Sequence, residues 1–183
     1  MSILKVARMG HPVLRTKARP IAPNDFKHPA LQNLIEDMLD TMAEYHGVGL
    51  AAPQIHESLR IFVGVLDTLK PGEGENAGKD APDPEPIAII NPEITPIGDE
   101  TVEDWEGCLS IPDIRGRVPR AREIRLRGFG RDGQKLDLTL RDFPARVAQH
   151  ETDHLDGVLF FDRMRTFDTL TFLDEYGRYH AKD

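Results

Sequence analysis

His150-Glu151-Thr152-Asp153-His154, near the C-terminal end of the chain, has the spacing of a metal-binding helix. Helical side chains four apart share one face with Cβ atoms roughly 5–6 Å apart, so two imidazoles reach one ion. Glu151, beside the first histidine, is then placed to work on a water at that ion. Chance produces such a pattern in roughly two chains in a hundred of this composition, so the pentapeptide needs support from the rest of the sequence. Its flanks supply a helix. Asp142 can cap a segment running from about Phe143 or Pro144 to Asp156, with the proline tolerated in the first turn and Gly157 as the stop. Ala145, Val147, Ala148 and Leu155 make this helix modestly apolar on several faces, which fits a central position. Two buried histidines without partners would be costly there, and coordination removes that cost.

Outward from the helix the pattern changes to strands. Ile124 and Leu126 alternate with charged residues over Glu123 to Gly130, as do Leu136, Leu138 and Leu140, and Asp132-Gly133 between them reads as a hairpin turn. One face of this hairpin is apolar and the other charged. Ile61 to Leu66 and Ile87 to Ile90 are apolar runs of strand length that read as neighbouring core strands, the second closed by Pro92. Between them, Asp67 to Pro86 carries four prolines, three glycines and six acids against two lysines, which predicts an exposed loop.

Further upstream, Leu31, Leu34, Ile35, Met38, Leu39 and Met42 follow the progression of an amphipathic helix, with Asn24 or Asp25 as its cap and Gly47 as its end. Arg8 to Arg15 predicts a short turn or single helical turn, with His11 structural or solvated. At the other end, Val158 to Phe161 reads as extended, and Thr166 to Tyr176 as a final helix with Phe167, Leu170, Phe172 and Leu173 wholly or partly inward. These elements describe an α+β fold: antiparallel strands packed around a central metal-binding helix, with an N-terminal amphipathic helix and a C-terminal helix.

A chain of 183 residues reads as one domain over 1–183, long enough to bury a core without disulfides or a structural metal. The net charge of −8 disfavours non-specific nucleic-acid binding. The single cysteine, Cys108, cannot form an internal disulfide and fits a reducing compartment. The N-terminus lacks the pattern of a signal peptide, and no stretch approaches the ~20 apolar residues of a spanning helix, so a cytoplasmic location is expected.

Catalytic metal sites usually take three protein ligands and keep one position open. A zinc protease with a glycine turn would supply a third histidine six residues after His154; Gly157 fits that pattern, but Phe160 stands at the histidine position. Glu175 and Cys108 remain as candidates. Two further stretches bear on the choice. Gly47-Val48-Gly49-Leu50-Ala51-Ala52-Pro53-Gln54 combines two glycines with a single strongly polar side chain, and reads either as a tight loop with a surface glutamine or as an amide donor aimed at a substrate oxygen. Glu106-Gly107-Cys108-Leu109-Ser110 places the cysteine after a glycine in an extended or looping segment, where it is either an inert core residue or a ligand.

The glycine loop with Gln54, the Glu106 to Ser110 run and the Gln149 to Gly157 helix together resemble the peptide deformylase family in type, order and spacing, over most of the chain from near Ile3-Leu4. The resemblance implies that Cys108, His150 and His154 bind one divalent metal, that Glu151 is the general base and acid, and that Gln54 with the Leu109 backbone N–H stabilises an oxyanion. It implies Fe(2+) as the cellular ion, with Zn(2+), Ni(2+) or Co(2+) able to substitute; donor softness alone does not decide among them. The implied substrate is a nascent peptide beginning with N-formylmethionine, hydrolysed to formate and a free amine. Val48, Phe143 and Val147 fall where its side-chain pocket would be lined, Arg115 at the rim, and Gly49 where an extended substrate backbone would bind. A monomer meeting its substrate in a transient encounter with the ribosome is implied, without membrane or sequence-specific nucleic-acid binding. The long acidic loop and the absence of a basic tail depart from the family pattern. A metallopeptidase, and a relative that binds metal without turnover, are the alternatives.

Overall fold

The computed structural model describes residues 2–66 and 84–181. Turns of 3-10 helix at Pro12–Arg15 and Pro23–Asp25 lead into helix α1, Pro29–Glu44. The helix starts later than the expected cap at Asn24 or Asp25. Pro29 is the reason: a proline holds the residue before it out of the helical region, so His28 is extended and caps the helix through Nδ1, which accepts from Ala30 N–H at 3.3 Å. At the far end the left-handed position falls on His46 (φ 52°) and not on Gly47.

Strand β1, Gly49–Ala51, and a 3-10 turn, Ala52–Ile55, occupy the stretch expected to be a loop. Strand β2 is Ile61–Gly64 and β3 is Ile87–Pro96. Most of the acidic segment expected between them lies outside the described residues; its last three, 84–86, are exposed. Strands β4, Thr101–Cys108, and β5, Ile111–Ala121, form a hairpin that the sequence did not announce. The next hairpin is as expected: β6, Glu123–Phe129, and β7, Lys135–Arg141. Helix α2 spans Asp142–Leu155, but its capping position falls on Arg141, and the Asp142 carboxylate binds Arg122 at 2.8 Å. Of the expected extended run after it, Leu159 is extended, but Phe160 and Phe161 belong to a 3-10 turn, Phe160–Arg163. The last helix begins only after a two-residue strand, β8, Thr171–Phe172; α3 is Leu173–Tyr179. Phe167, Leu170, Phe172 and Leu173 are exposed, contrary to expectation.

The strands form two antiparallel sheets, one ordered β1-β2-β3-β6-β7 and the other β4-β5-β8. Side chains alternate across a strand, so the large sheet has two apolar faces. Ile61, Val63, Ala88 and Ile90 point to α1, where they meet Ile35, Met38 and Met42. Phe62 and Ile89 point the other way and, with Ile124, Leu126 and Leu140, cover Ala145, Ala148 and Leu155 of α2. A third cluster of Leu14, Ile111, Val118, Leu159 and Phe160 lies under the small sheet. Helix α2 therefore sits between the sheets, which places its other faces against β4 and β5.

Pro92 does not close β3. The strand bulges between Ile90 and Glu93, and Asn91 takes the left-handed conformation (φ 51°) that frees the proline from the ladder. The Asn91 amide exchanges two hydrogen bonds with the Ile21 backbone, at 2.9 and 2.8 Å, anchoring the N-terminal segment to the bend. Asn91→Ala removes both bonds at about 1 kcal/mol each and adds about 1 kcal/mol of left-handed strain, giving an expected loss of about 3 kcal/mol, read from the urea midpoint of unfolding.

Candidate metal centre

The second half of α2 turns His150 and His154 toward the end of β4, where a bulge after Gly107 brings Cys108 to face them. Ligating atoms of Cys108, His150 and His154 lie within 4.8 Å of one another. Cys108 Sγ is 3.2 Å from His154 Nε2, and His150 Nδ1 donates to Glu106 Oε2 at 2.9 Å, which leaves its Nε2 as the nitrogen able to take a metal. Burial pushes the Cys108 thiol up, but the positive charge and hydrogen bonds of the two imidazoles outweigh it and hold the thiol well below its usual range. A thiolate with two imidazoles is the donor set of a four-coordinate divalent ion with one place open, and the residues present fit such an ion. Glu175, the other candidate third ligand, is bonded to Arg178 on α3 and lies outside this group.

Glu151, buried, projects between α2 and β1. A Cβ on Gly49 would collide with its carboxylate, coming within 2.8 Å of Cγ, so only glycine lets the strand pass this close. Burial is the largest influence on Glu151 and raises its carboxyl to about 7, despite the two histidines; Oε2 has no hydrogen-bond partner among the described residues. Gln54 is only 1 % exposed, so it is not a surface glutamine. Its Oε1 accepts from Ala51 N–H at 2.8 Å, which fixes the amide the right way round and aims Nε2 at Cys108 Sγ (3.6 Å) and Ser110 Oγ (3.3 Å). Leu109 follows the cysteine, half-buried against the α1 cluster.

The group opens into a cavity of about 810 Å³, the size of a small-ligand or peptide site. Val48, Gly49, Arg115, Phe143 and Val147 all line it. Val147 is buried at depth, whereas Phe143 and Val48 are 56 % and 47 % exposed and stand at the mouth. The Arg115 side chain lies over Gly107, where a Cβ would collide with its guanidinium.

The sequence reading missed the charges beneath the site. Glu106 is buried and takes bonds from Arg120 (2.9 and 3.0 Å), Arg146 (2.7 Å) and His150. Arg146 also donates to the carbonyls of Val118 (2.8 Å) and Val102 (2.7 Å), and Arg120 to Asp153, which Arg163 holds from its other side at 2.7 Å. Burial raises the Glu106 carboxyl, but the bonds from His150 and Arg120 prevail and leave it well below the usual carboxylate range. Glu106 and Asp153 stand within the quoted motifs; their partners are remote in sequence, and no local signal joins them.

This arrangement, a helix between two antiparallel sheets carrying two of three side chains that could hold a metal ion and an adjacent buried carboxylate, is that of a metallohydrolase. The family model described as polypeptide deformylase matches residues 3–169. A Nostoc sp. protein named peptide deformylase 2 is 43 % identical over 164 residues, covering 90 % of this chain and 87 % of its own length. The crystal structure of peptide deformylase from Thermotoga maritima superposes with a TM-score of 0.78 at 37 % identity, covering 91 % of this chain and all of that one. A Met-Ala-Ser-bound class I type b peptide deformylase from Acinetobacter baumannii gives 0.77 at 36 % identity, covering 89 % and 99 %. The chain belongs to the peptide deformylase family and is an enzyme that removes the N-formyl group from nascent proteins.

Glu106→Ala leaves Arg120, Arg146 and His150 facing an uncompensated buried gap; the expected cost is about 3–5 kcal/mol, read by chemical denaturation. Gly49→Ala is expected to keep the fold and lower kcat at least tenfold by displacing Glu151, read by steady-state kinetics alongside circular dichroism.

Proposed function

We propose that Cys108, His150 and His154 hold one divalent ion, that Glu151 moves the protons of the reaction, and that Gln54 and the Leu109 N–H receive the developing oxyanion. The observation that carries this is the convergence of the three ligating atoms within 4.8 Å of one another, with the unpaired Glu151 oxygen alongside. Bound there, the ion supplies Lewis acidity and lowers the pKa of water toward about 7. Glu151 takes a proton from the attacking water as the new C–O bond forms at the formyl carbon. A carboxyl held near neutrality by burial suits the work of both base and acid. The carbonyl oxygen, now negative, accepts from Gln54 Nε2–H and Leu109 N–H, donors worth roughly 3–4 kcal/mol each when they are set in place beforehand. Glu151 then gives its proton to the amine nitrogen, the C–N bond breaks, and formate and a free N-terminus leave.

The substrate is the start of a nascent chain bearing N-formylmethionine. It lies extended along the β1 edge at Gly49, its methionine side chain among Val48, Phe143 and Val147, with Arg115 over the backbone beyond. The Acinetobacter relative with Met-Ala-Ser bound supports a peptide N-terminus as occupant. The cellular ion is Fe(2+), with Zn(2+), Ni(2+) and Co(2+) as substitutes, since this donor set accepts all four. The 183 residues act as one catalytic domain and as a monomer in the cytoplasm, where chains emerge from the ribosome and are met in passing. No helix among the described residues is long and apolar enough to cross a membrane.

The test is formate release from a formyl-Met peptide by iron-loaded and cobalt-loaded enzyme, with metal content measured in parallel. Wild type releases formate; Glu151→Ala keeps the metal and loses at least a thousandfold in rate; Cys108→Ala fails to retain stoichiometric metal. Absence of release by the loaded wild type would overturn the reading. The iron form is further expected to lose activity on aerobic storage, while the cobalt form keeps it.

A further inference from the structure

One end of the charged network beneath the site reaches the surface. His150 Nδ1 donates to Glu106 Oε2 at 2.9 Å, the same oxygen that accepts from Arg120 Nη2 at 3.0 Å, while Arg120 Nε donates to Oε1 at 2.9 Å. The guanidinium plane of Arg120 therefore fixes the plane of the carboxylate that orients the His150 ring. Arg146 braces only Oε1, at 2.7 Å, which leaves Arg120 as the cation on the oxygen that His150 meets. The remaining arm of Arg120, Nη1, donates to Asp153 Oδ2. Asp153 is gripped in turn by Arg163, whose Nε and Nη2 donate to its two oxygens at 3.1 and 2.7 Å. The Arg120 and Asp153 side chains are 5 % and 10 % exposed and that of Arg163 is 50 % exposed, so Arg163 joins a buried chain of groups to solvent.

Arg163 ends the 3-10 turn Phe160–Arg163, which is pinned at several points. Phe160 is buried under the small sheet, Leu159 N–H donates to Asp162 Oδ2 at 2.8 Å, and Arg15 pairs with that same oxygen. A fixed base suits a clamp. With both oxygens held by one planar fork, the Asp153 carboxylate stays turned toward Arg120. Held by Arg120 alone it rotates about its terminal torsion, a broad well without a staggered preference, and Arg120 loses a fixed anchor for its third arm.

We propose that Arg163 is a positioning residue for His150: through Asp153, Arg120 and Glu106, its forked grip sets the direction in which His150 Nε2 faces the ion. The proposal rests on the reading of Cys108, His150 and His154 as the metal ligands. It concerns orientation, so a side chain with the same charge and no fork replaces Arg163 only in part.

The experiment loads wild type, Arg163→Met, Arg163→Lys and Arg15→Met with Co(2+). It measures the dissociation constant by competition with a chelator, the visible absorption spectrum of the bound ion, and the urea midpoint of the metal-free protein, which reports folding apart from binding. Arg163→Met is expected to weaken Co(2+) binding about tenfold and to shift the cobalt bands, an effect at the lower end of that seen for partners of ligating histidines. Arg163→Lys, the milder second variant, is expected to fall between wild type and Arg163→Met. Arg15→Met breaks an ion pair on the same turn without touching Asp153, and is expected to keep the affinity and spectrum of wild type. Affinity and spectrum unchanged in Arg163→Met, or fully restored in Arg163→Lys, overturn the proposal. An equal loss of affinity in Arg15→Met overturns it too, because Arg163 is then a general brace of the turn. Failure of wild type to bind stoichiometric Co(2+) overturns the metal-centre reading itself, and this proposal with it.

Discussion

Beneath the site, one buried carboxylate holds three cationic or hydrogen-bonding partners from two elements. Glu106, on β4, faces Arg120 of the neighbouring β5 and both Arg146 and His150 of α2. Desolvating so many charges is expensive, and the mutual attraction offsets it only when every partner is in place. The geometry is therefore exacting. Arg146 and Arg120 use further donors on the Val118 and Val102 carbonyls and on Asp153, so few of their N–H groups are left idle. The ring plane of His150, and with it the direction of the Nε2 atom proposed to hold the ion, is set by this network.

The large sheet contributes in a different way. Its period-two alternation gives α1 and α2 separate faces, and α2 is thereby pressed toward the small sheet, where Cys108 sits. Two histidines one turn apart need only a helix; bringing a cysteine from the far end of another sheet needs the helix to be held on both sides. The same close packing brings β1 onto Glu151 at Gly49 and tucks Gln54 beneath Ser110.

Much of this was legible from residue patterns. The α2 helix, the β6–β7 hairpin and the core of α1 show strong periodicity, and the three site motifs converge as the family resemblance implies. What stayed hidden was non-local. Strand β4 has no apolar alternation to announce it, because its one buried residue is Glu106, satisfied by Arg120 and Arg146 from other elements. Strand β5 contains Pro112 and Pro119, which argue against a strand; they are tolerated because β8 pairs only at Ile114 and Arg115, so neither proline faces a strand partner on that edge. Pro92 misled for a related reason, since the bulge is held by the two hydrogen bonds between the Asn91 amide and Ile21, 70 residues away. Phe167, Leu170, Phe172 and Leu173 of the last segment read as inward because their spacing is helical, whereas all four are exposed and Leu173 borders the cavity.

Strand β1 is three residues long and stands at the end of its sheet, with β2 on one side and the cavity on the other. An edge of that kind offers main-chain groups, and every polypeptide carries the same ones. Whatever pairs with it is recognised as a chain before it is recognised as a sequence. As part of the proposed site, such an edge gives a catalyst breadth, because it holds the chain without reading its side chains.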